Sequence, residues 1–197
     1  MPATAIEQRG NLKFYIFEPS ALGVLRESIG PRQARPMTSA QALALVPSAK
    51  AVLDGPMFGV CSGQDLPAGD VARYRASQCG IITHRLVDTK RGVNEPGEAS
   101  VAGDGVTLSI VSGRVVARDG NRVADGATVA VQLSPSLVRA GQPTHMRVTS
   151  SNSSAVGRVG VGVFRNGKMF FVVGRMPLQQ FANELATHDV LECGYTD

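Results

Sequence analysis

The sequence predicts an α+β fold, with a mixed, largely antiparallel twisted sheet and a few packing helices in a single domain. Three observations carry this. Gly, Val and Ala dominate while aromatics make up 5% with no Trp, a mix that favours strands and turns over a helical bundle. Two hairpins stand out, one turning at Asn166-Gly167 and one at Ser112-Gly113. A single helical face recurs at Leu178, Phe181, Ala182, Leu185 and Ala186, spaced i, i+3, i+4, i+7 and i+8. The 197 residues suffice for one real core. A hydrophobic content of 43% with 18% charged residues marks a globular chain.

In chain order, Leu12 to Phe17 reads as the first strand and ends at Glu18-Pro19. Ser20 is placed to cap a helical turn through Leu22, Val24 and Leu25, which Gly30-Pro31 ends. Thr38 or Ser39 opens a helix carrying Ala40, Leu43, Ala44 and Val46, stopped by Pro47. Residues 1–49 thus form an N-terminal strand with helices, and residues 50–197 form the rest of one compact domain. Lys50 to Phe58 is a strand ending on a Gly-Pro turn, followed by a long loop over 59–80 rich in Gly, Ser, Asp and Pro. Loops of that length are uncommon unless functional or mobile.

Ile81 to Val87 reads as a strand and Thr89 to Asp104 as a further loop. Val106 to Val111 and Arg114 to Arg118 form a hairpin with Val106, Leu108 and Ile110 on one face. Asp119-Gly120 and Asp125-Gly126 are turns, Val129 to Leu133 is a short strand, and Thr149 to Ser154 is a polar loop. Val159 to Phe164 and Lys168 to Val173 flank Asn166-Gly167, a dipeptide suited to the positive φ of a type I′ turn. Pro177 occupies a first helical position, where its missing N–H costs nothing. The helix that follows leads into an apolar strand ending at Gly194-Tyr195-Thr196-Asp197.

Composition excludes several function classes. The net charge is +4 with a pI near 9.3, but the bases are scattered and not interleaved with aromatics, which argues against a nucleic-acid groove. Mild basicity suits an anionic substrate, and it equally serves solubility. Cys61, Cys79 and Cys193 are too few for a disulfide framework; a Cys61–Cys79 bridge stays open for an exported protein. There is no C-x-x-C and no His pair at i, i+4, so neither metal nor cofactor is expected. His84, His145 and His188 are isolated, and Ser62 lacks the G-x-S-x-G pattern of a serine hydrolase. No signal peptide or membrane span is visible. A cytoplasmic or virion location with an extracellular target is the expectation.

Three ordered stretches resemble the phosphodiester glycosidase domain family, which includes the enzyme that uncovers mannose 6-phosphate tags and many bacterial and phage proteins. Ala51, Val52, Leu53, Gly55, Met57 and Phe58 match an early strand of the family, with Asp54 where Asn is usual and Pro56 where a second Gly is usual. Pro135, Leu137, Val138 and Gly141 match a second element. The third runs from Arg158 through the Asn166-Gly167 hairpin and the Leu178–Ala186 helix to Tyr195-Thr196-Asp197. In the family this closing strand runs into Leu-Asp-Gly-Gly-Gly-Ser; here Tyr195-Thr196-Asp197 matches the lead-in and the Asp, and the glycines and Ser are absent. The resemblance covers roughly residues 50–197 and implies a region that ends within that loop, a separated C-terminal fragment being one source of the rest.

The resemblance implies cleavage or binding of sugar-1-phosphodiester linkages in a surface glycan. The alternative is a non-catalytic structural or glycan-binding component, for example of a phage tail contacting other virion subunits. A phosphate monoester leaves readily, its second pKa being about 6, so cations and backbone N–H groups on the phosphate matter more than a strong general acid. The implied roles are Arg158 as the phosphate cation, Asp197 as the loop carboxylate and Asp54-Gly55 as a polar wall. Arg158 is equally a strand-edge residue, and Asp54-Gly55 equally a plain turn. Glu192, alternating with Leu191 and Cys193, is a candidate inward carboxylate, although an exposed strand position is the favoured reading, and Cys193 reads as a small core residue.

Overall fold

The computed structural model describes residues 5–30, 32–52, 58–60, 80–97, 105–146 and 149–196. It corrects the α+β expectation: the domain is mainly β, and among the described residues every strand pair is antiparallel, with no mixed sheet. The strands are β1 (Ala5–Arg9), β2 (Leu12–Phe17), β3 (Ser28–Gly30), β4 (Gln33–Ala34), β5 (Phe58–Val60), β6 (Gly80–Ile82), β7 (Leu86–Asp88) and β8 (Val93–Glu95) in the first half. The second half holds β9 (Val106–Val111), β10 (Arg114–Asp119), β11 (Val129–Leu133), β12 (Ser136–Arg139), β13 (Gln142–Pro143), β14 (Val156–Phe164), β15 (Met169–Met176) and β16 (Val190–Thr196). Among the described residues the helices are few and short: α1 (Ser39–Leu45), the single turn α2 (Ser150–Ser153) and α3 (Leu178–Ala186).

A seven-stranded sheet runs β1-β2-β15-β14-β16-β12-β13, and a five-stranded sheet runs β10-β9-β11-β7-β8. A smaller sheet, β3-β4-β6-β5, stands beside them. Alternation along the strands gives the large sheet two buried faces. One face meets the five-stranded sheet through Phe17, Val161 and Met169 against Leu108, Val131 and Leu133. The other lies under α3, where Phe14, Phe170 and Val172 pack on Leu178, Phe181 and Leu185. The predicted apolar face of α3 is the one the fold buries. Covering both faces explains why Gly160, Gly162 and Gly194 are needed in the central strands. A methyl at Gly162 would run into the Phe170 ring and the Glu192 carbonyl, and one at Gly194 into Leu133.

Several elements lie where the sequence places them, among them β2, β11, α3 and the β9–β10 hairpin. The departures have local causes. Residues 19–21 make only a 3-10 turn, and Leu22 is already extended (φ −71°, ψ 138°), so the expected helix there is absent. The stretch 81–87 breaks at Thr83–Arg85 into β6 and β7, which join different sheets. Helix α1 forms behind a reciprocal Thr38–Gln41 capping box, but it buries Ala42 and leaves Leu43 exposed. The Asn166-Gly167 turn is not type I′. Only Gly167 has positive φ (86°), Gly167 N–H donates to the Phe164 carbonyl, and Phe164 N–H donates to that of Lys168. That is a type I turn with a glycine bulge, a three-residue loop. Among the described residues, the two-residue hairpin turns with both φ positive are Ser112-Gly113 (49° and 77°) and Ala140-Gly141 (49° and 81°). Among the described residues no helix is long and apolar enough to cross a membrane.

Candidate functional site

Arg158 lies near the start of β14, opposite Gly174 of β15. It is 5% exposed. The space over Gly174 on that face is filled by the Leu12 and Phe181 side chains. Its guanidinium donates to two backbone carbonyls, from Arg158 Nη2 to that of Ser154 at 3.2 Å and from Nε to that of Met176 at 3.4 Å. Nη1 lies 3.5 Å from the Tyr195 hydroxyl, and the group stands 5.8 Å from the Tyr195 ring centroid. A delocalised cation fixed this way keeps its planar fork and its charge in one place at the end of the central strands. Thr149 caps the single turn α2 that brings Ser154 into position.

Glu192 is also buried, at 9% exposure. Its surroundings differ. One oxygen accepts from Ala140 N–H at 3.0 Å, and the other lies 2.8 Å from Arg139 Nε. Arg139 in turn pairs with Asp119 of the five-stranded sheet. The register Val163↔Glu192 and Val159↔Thr196 puts Glu192 on the face toward that sheet, whereas Arg158 and Tyr195 share the face under α3. The fold therefore places these two expected substrate-binding residues on opposite sides of one sheet. Asp197, Asp54 and Gly55 lie outside the described residues, as do Cys61 and Cys79. Cys193 is fully buried, and burial chiefly, with the Glu192 charge adding, pushes its thiol well above the usual range. It is a core residue.

A second polar cluster went unread in the sequence. Glu95 of β8 is buried and ion-paired with Arg26, and its carbonyl accepts from Arg85 Nη1 at 2.6 Å. Desolvation lowers the pKa of both arginines. Arg85 N–H donates to the Gln132 side chain at 2.7 Å, and His84 beside it is fully buried, its Nδ1 3.0 Å from the Thr83 hydroxyl. Asp88 is fully buried too, accepting from the N–H groups of Val24, Lys90 and Arg91 and from the Arg91 guanidinium. The signal available was the alternation Val93, Asn94, Glu95, which puts the acid on the same face as Val93. Among the described residues no group of three or more His, Cys, Asp or Glu is placed to hold a metal ion.

No family model matches the chain, and no curated protein does. Among solved structures, a hypothetical protein from Synechocystis is similar with a TM-score of 0.53 and 10% identity, over 100% of this chain and 56% of that one. The catalytic domain of zebrafish N-acetylglucosamine-1-phosphodiester α-N-acetylglucosaminidase, auto-inhibited by its pro-peptide, is distantly similar, with a TM-score of 0.45 and 16% identity over 67% of this chain and 48% of that one. The chain spans about half the length of each of these structures. At such identities the likeness is one of fold.

Proposed function

We propose that the chain is a phosphodiester glycosidase-like domain acting on sugar-1-phosphodiester linkages of a surface glycan, with Arg158 as the cation that receives the phosphate. The observation that carries this reading is the buried Arg158 guanidinium, fixed by two backbone carbonyls and the Tyr195 hydroxyl at the end of the central strands. A preorganised fork matches two phosphate oxygens and needs little reorganisation as charge moves onto the leaving group. In this reading Asp197 supplies the carboxylate that activates water or stabilises the oxocarbenium-like sugar, and Asp54-Gly55 supplies a polar wall. Glu192 already holds Arg139 and Ala140, and it enters only as the group that fixes the β12–β13 turn. A glycan-binding module on the same scaffold would use the same cation without turnover. Neither the fold nor the neighbours bears on a phage tail.

The test is release of reducing sugar from methyl N-acetylglucosamine 1-phosphate by the protein and by its Arg158→Ala and Arg158→Lys variants. Turnover that falls by about a hundredfold or more in Arg158→Ala, with partial retention in Arg158→Lys, supports the assignment. Full activity in Arg158→Ala removes it. Binding without turnover at any pH selects the glycan-binding module.

A further inference from the structure

On the face of the large sheet away from Arg158, Tyr15 of β2 lies opposite Phe171 of β15. The Phe171 ring packs against Phe17 with centroids 4.7 Å apart, which steadies it. Tyr15, Phe171, Val173, Ala51 and Val52 line an open hollow of about 200 Å³. Drug-sized sites run from about 300 to 1,000 Å³, so this one holds a single small ring. The row stays apolar to the sheet edge, where Ile6, opposite Tyr15, is 60% exposed. Two cations stand on the same face. Lys13 lies opposite Val173 with its Nζ 5.2 Å from the Tyr15 ring centroid, and Arg175 follows Val173 two positions along. Among the described residues neither has a carboxylate partner.

We infer that this hollow is a binding subsite for an anionic saccharide, one sugar ring lying on Tyr15 and Phe171 and its phosphate or carboxylate meeting Lys13 and Arg175. An aromatic face carries negative charge density that attracts the polarised C–H face of a pyranose, and it does so without demanding a hydrogen-bond partner. Exposed cations beside it add long-range attraction for an anion. An apolar ligand would leave both charges unused, and a bare anion would leave the rings unused. The pairing of the two points to a ligand with both features. This site does not depend on Arg158 and stands whether or not the domain turns over.

Methyl NMR of the full chain, following Val52 and Val173, tests it with glucose 1-phosphate, glucose and inorganic phosphate. The expected result is saturable millimolar shifts with glucose 1-phosphate, about tenfold weaker binding of glucose, and no such shift with phosphate. Tyr15→Leu should abolish both sugar titrations, with unchanged Val131 and Val161 methyls reporting an intact core. Lys13→Glu with Arg175→Glu, both exposed and safe for folding, should weaken glucose 1-phosphate about tenfold and leave glucose unchanged. Arg158→Ala should leave this affinity unchanged while removing any turnover, so failure here and failure of the glycosidase reading are separable. Silence with all three probes, an equal response to phosphate alone, or indifference to the paired charge reversal would overturn the inference.

Discussion

Glu192 Oε2 of β16 lies 2.8 Å from Arg139 Nε of β12, and the same guanidinium pairs with Asp119 of β10. One arginine thus ties the central sheet to the edge of its neighbour. Exposed pairs contribute about 0–1 kcal/mol, whereas breaking a buried one costs about 3–5 kcal/mol. With Glu192 at 12% side-chain exposure and Arg139 at 30%, this pair falls between. Glu192→Ala also strips the acceptor from Ala140 N–H. We expect Glu192→Ala to cost about 2 kcal/mol in urea unfolding and Asp119→Ala well under 1 kcal/mol, since Asp119 is the most exposed member. A double-mutant cycle of Glu192 and Arg139 should show clear coupling. Additive losses would mean the pair is incidental.

Asp88 should make stability depend on pH in one direction. Burial pushes its carboxyl up, but the Val24 N–H and the Arg91 guanidinium and N–H outweigh that, and the folded pKa lies below the ordinary 3.8. A depressed acid pKa contributes stability that is present above the unfolded pKa and lost as pH falls through the folded one. Asp88→Asn should therefore unfold more easily near neutrality, by about 2 kcal/mol. It should also show a shallower loss of stability than the parent below about pH 4. Denaturant midpoints measured from pH 2 to 7 check both slopes. Parallel curves would sink the argument.

These two groups also show where the sequence is legible and where it is not. The α3 face and the β9–β10 hairpin depend on neighbours a few residues apart, so periodicity and turn chemistry suffice for them. The face on which Arg158 and Glu192 lie depends on which strands pair and in what register, here Val163↔Glu192, a separation of 29 residues that spacing does not encode. The α+β expectation erred for a related reason. Ser20, Leu22, Val24 and Leu25 have a helical look, but Val24 N–H is claimed by Asp88, 64 residues away. Tertiary contacts overrode local preference there. β1 carries no apolar alternation to read, because Glu7, Gln8 and Arg9 are polar, as an edge strand's residues can be.

The β9–β10 turn offers a stabilising change. Ser112 holds φ 49° and is followed by Gly113 at 77°, the type I′ geometry in which a non-glycine first residue is strained. Asn tolerates that conformation through its local side-chain hydrogen bonding. Ser112→Asn is expected to raise stability by about 0.5 kcal/mol and Gly113→Ala to lower it by about 1 kcal/mol. Thermal midpoints of the two variants decide this, and a loss with Ser112→Asn would show that the turn's conformation is not what limits it.

The tightest test of the two-faced sheet is Gly194. It sits on β16 between Val161 and Ser136, and a methyl there would strike Leu133 of the five-stranded sheet and press on Val106 at 3.2 Å. Both obstacles are backbone-proximal core groups with no exposed direction to yield. Overpacking a rigid interior costs about 1–3 kcal/mol or more, so Gly194→Ala should lose at least that by denaturant unfolding. Gly157, on the same sheet with nothing within 4 Å of an added methyl, is the matched control. Gly157→Ala should be neutral or slightly stabilising, because the added side chain restricts the unfolded chain. Leu133→Ala keeps the Cβ that the new methyl would strike, so combining it with Gly194→Ala should not recover the loss. If Gly194→Ala matches Gly157→Ala, the two sheets do not meet at β16 and β11 as described.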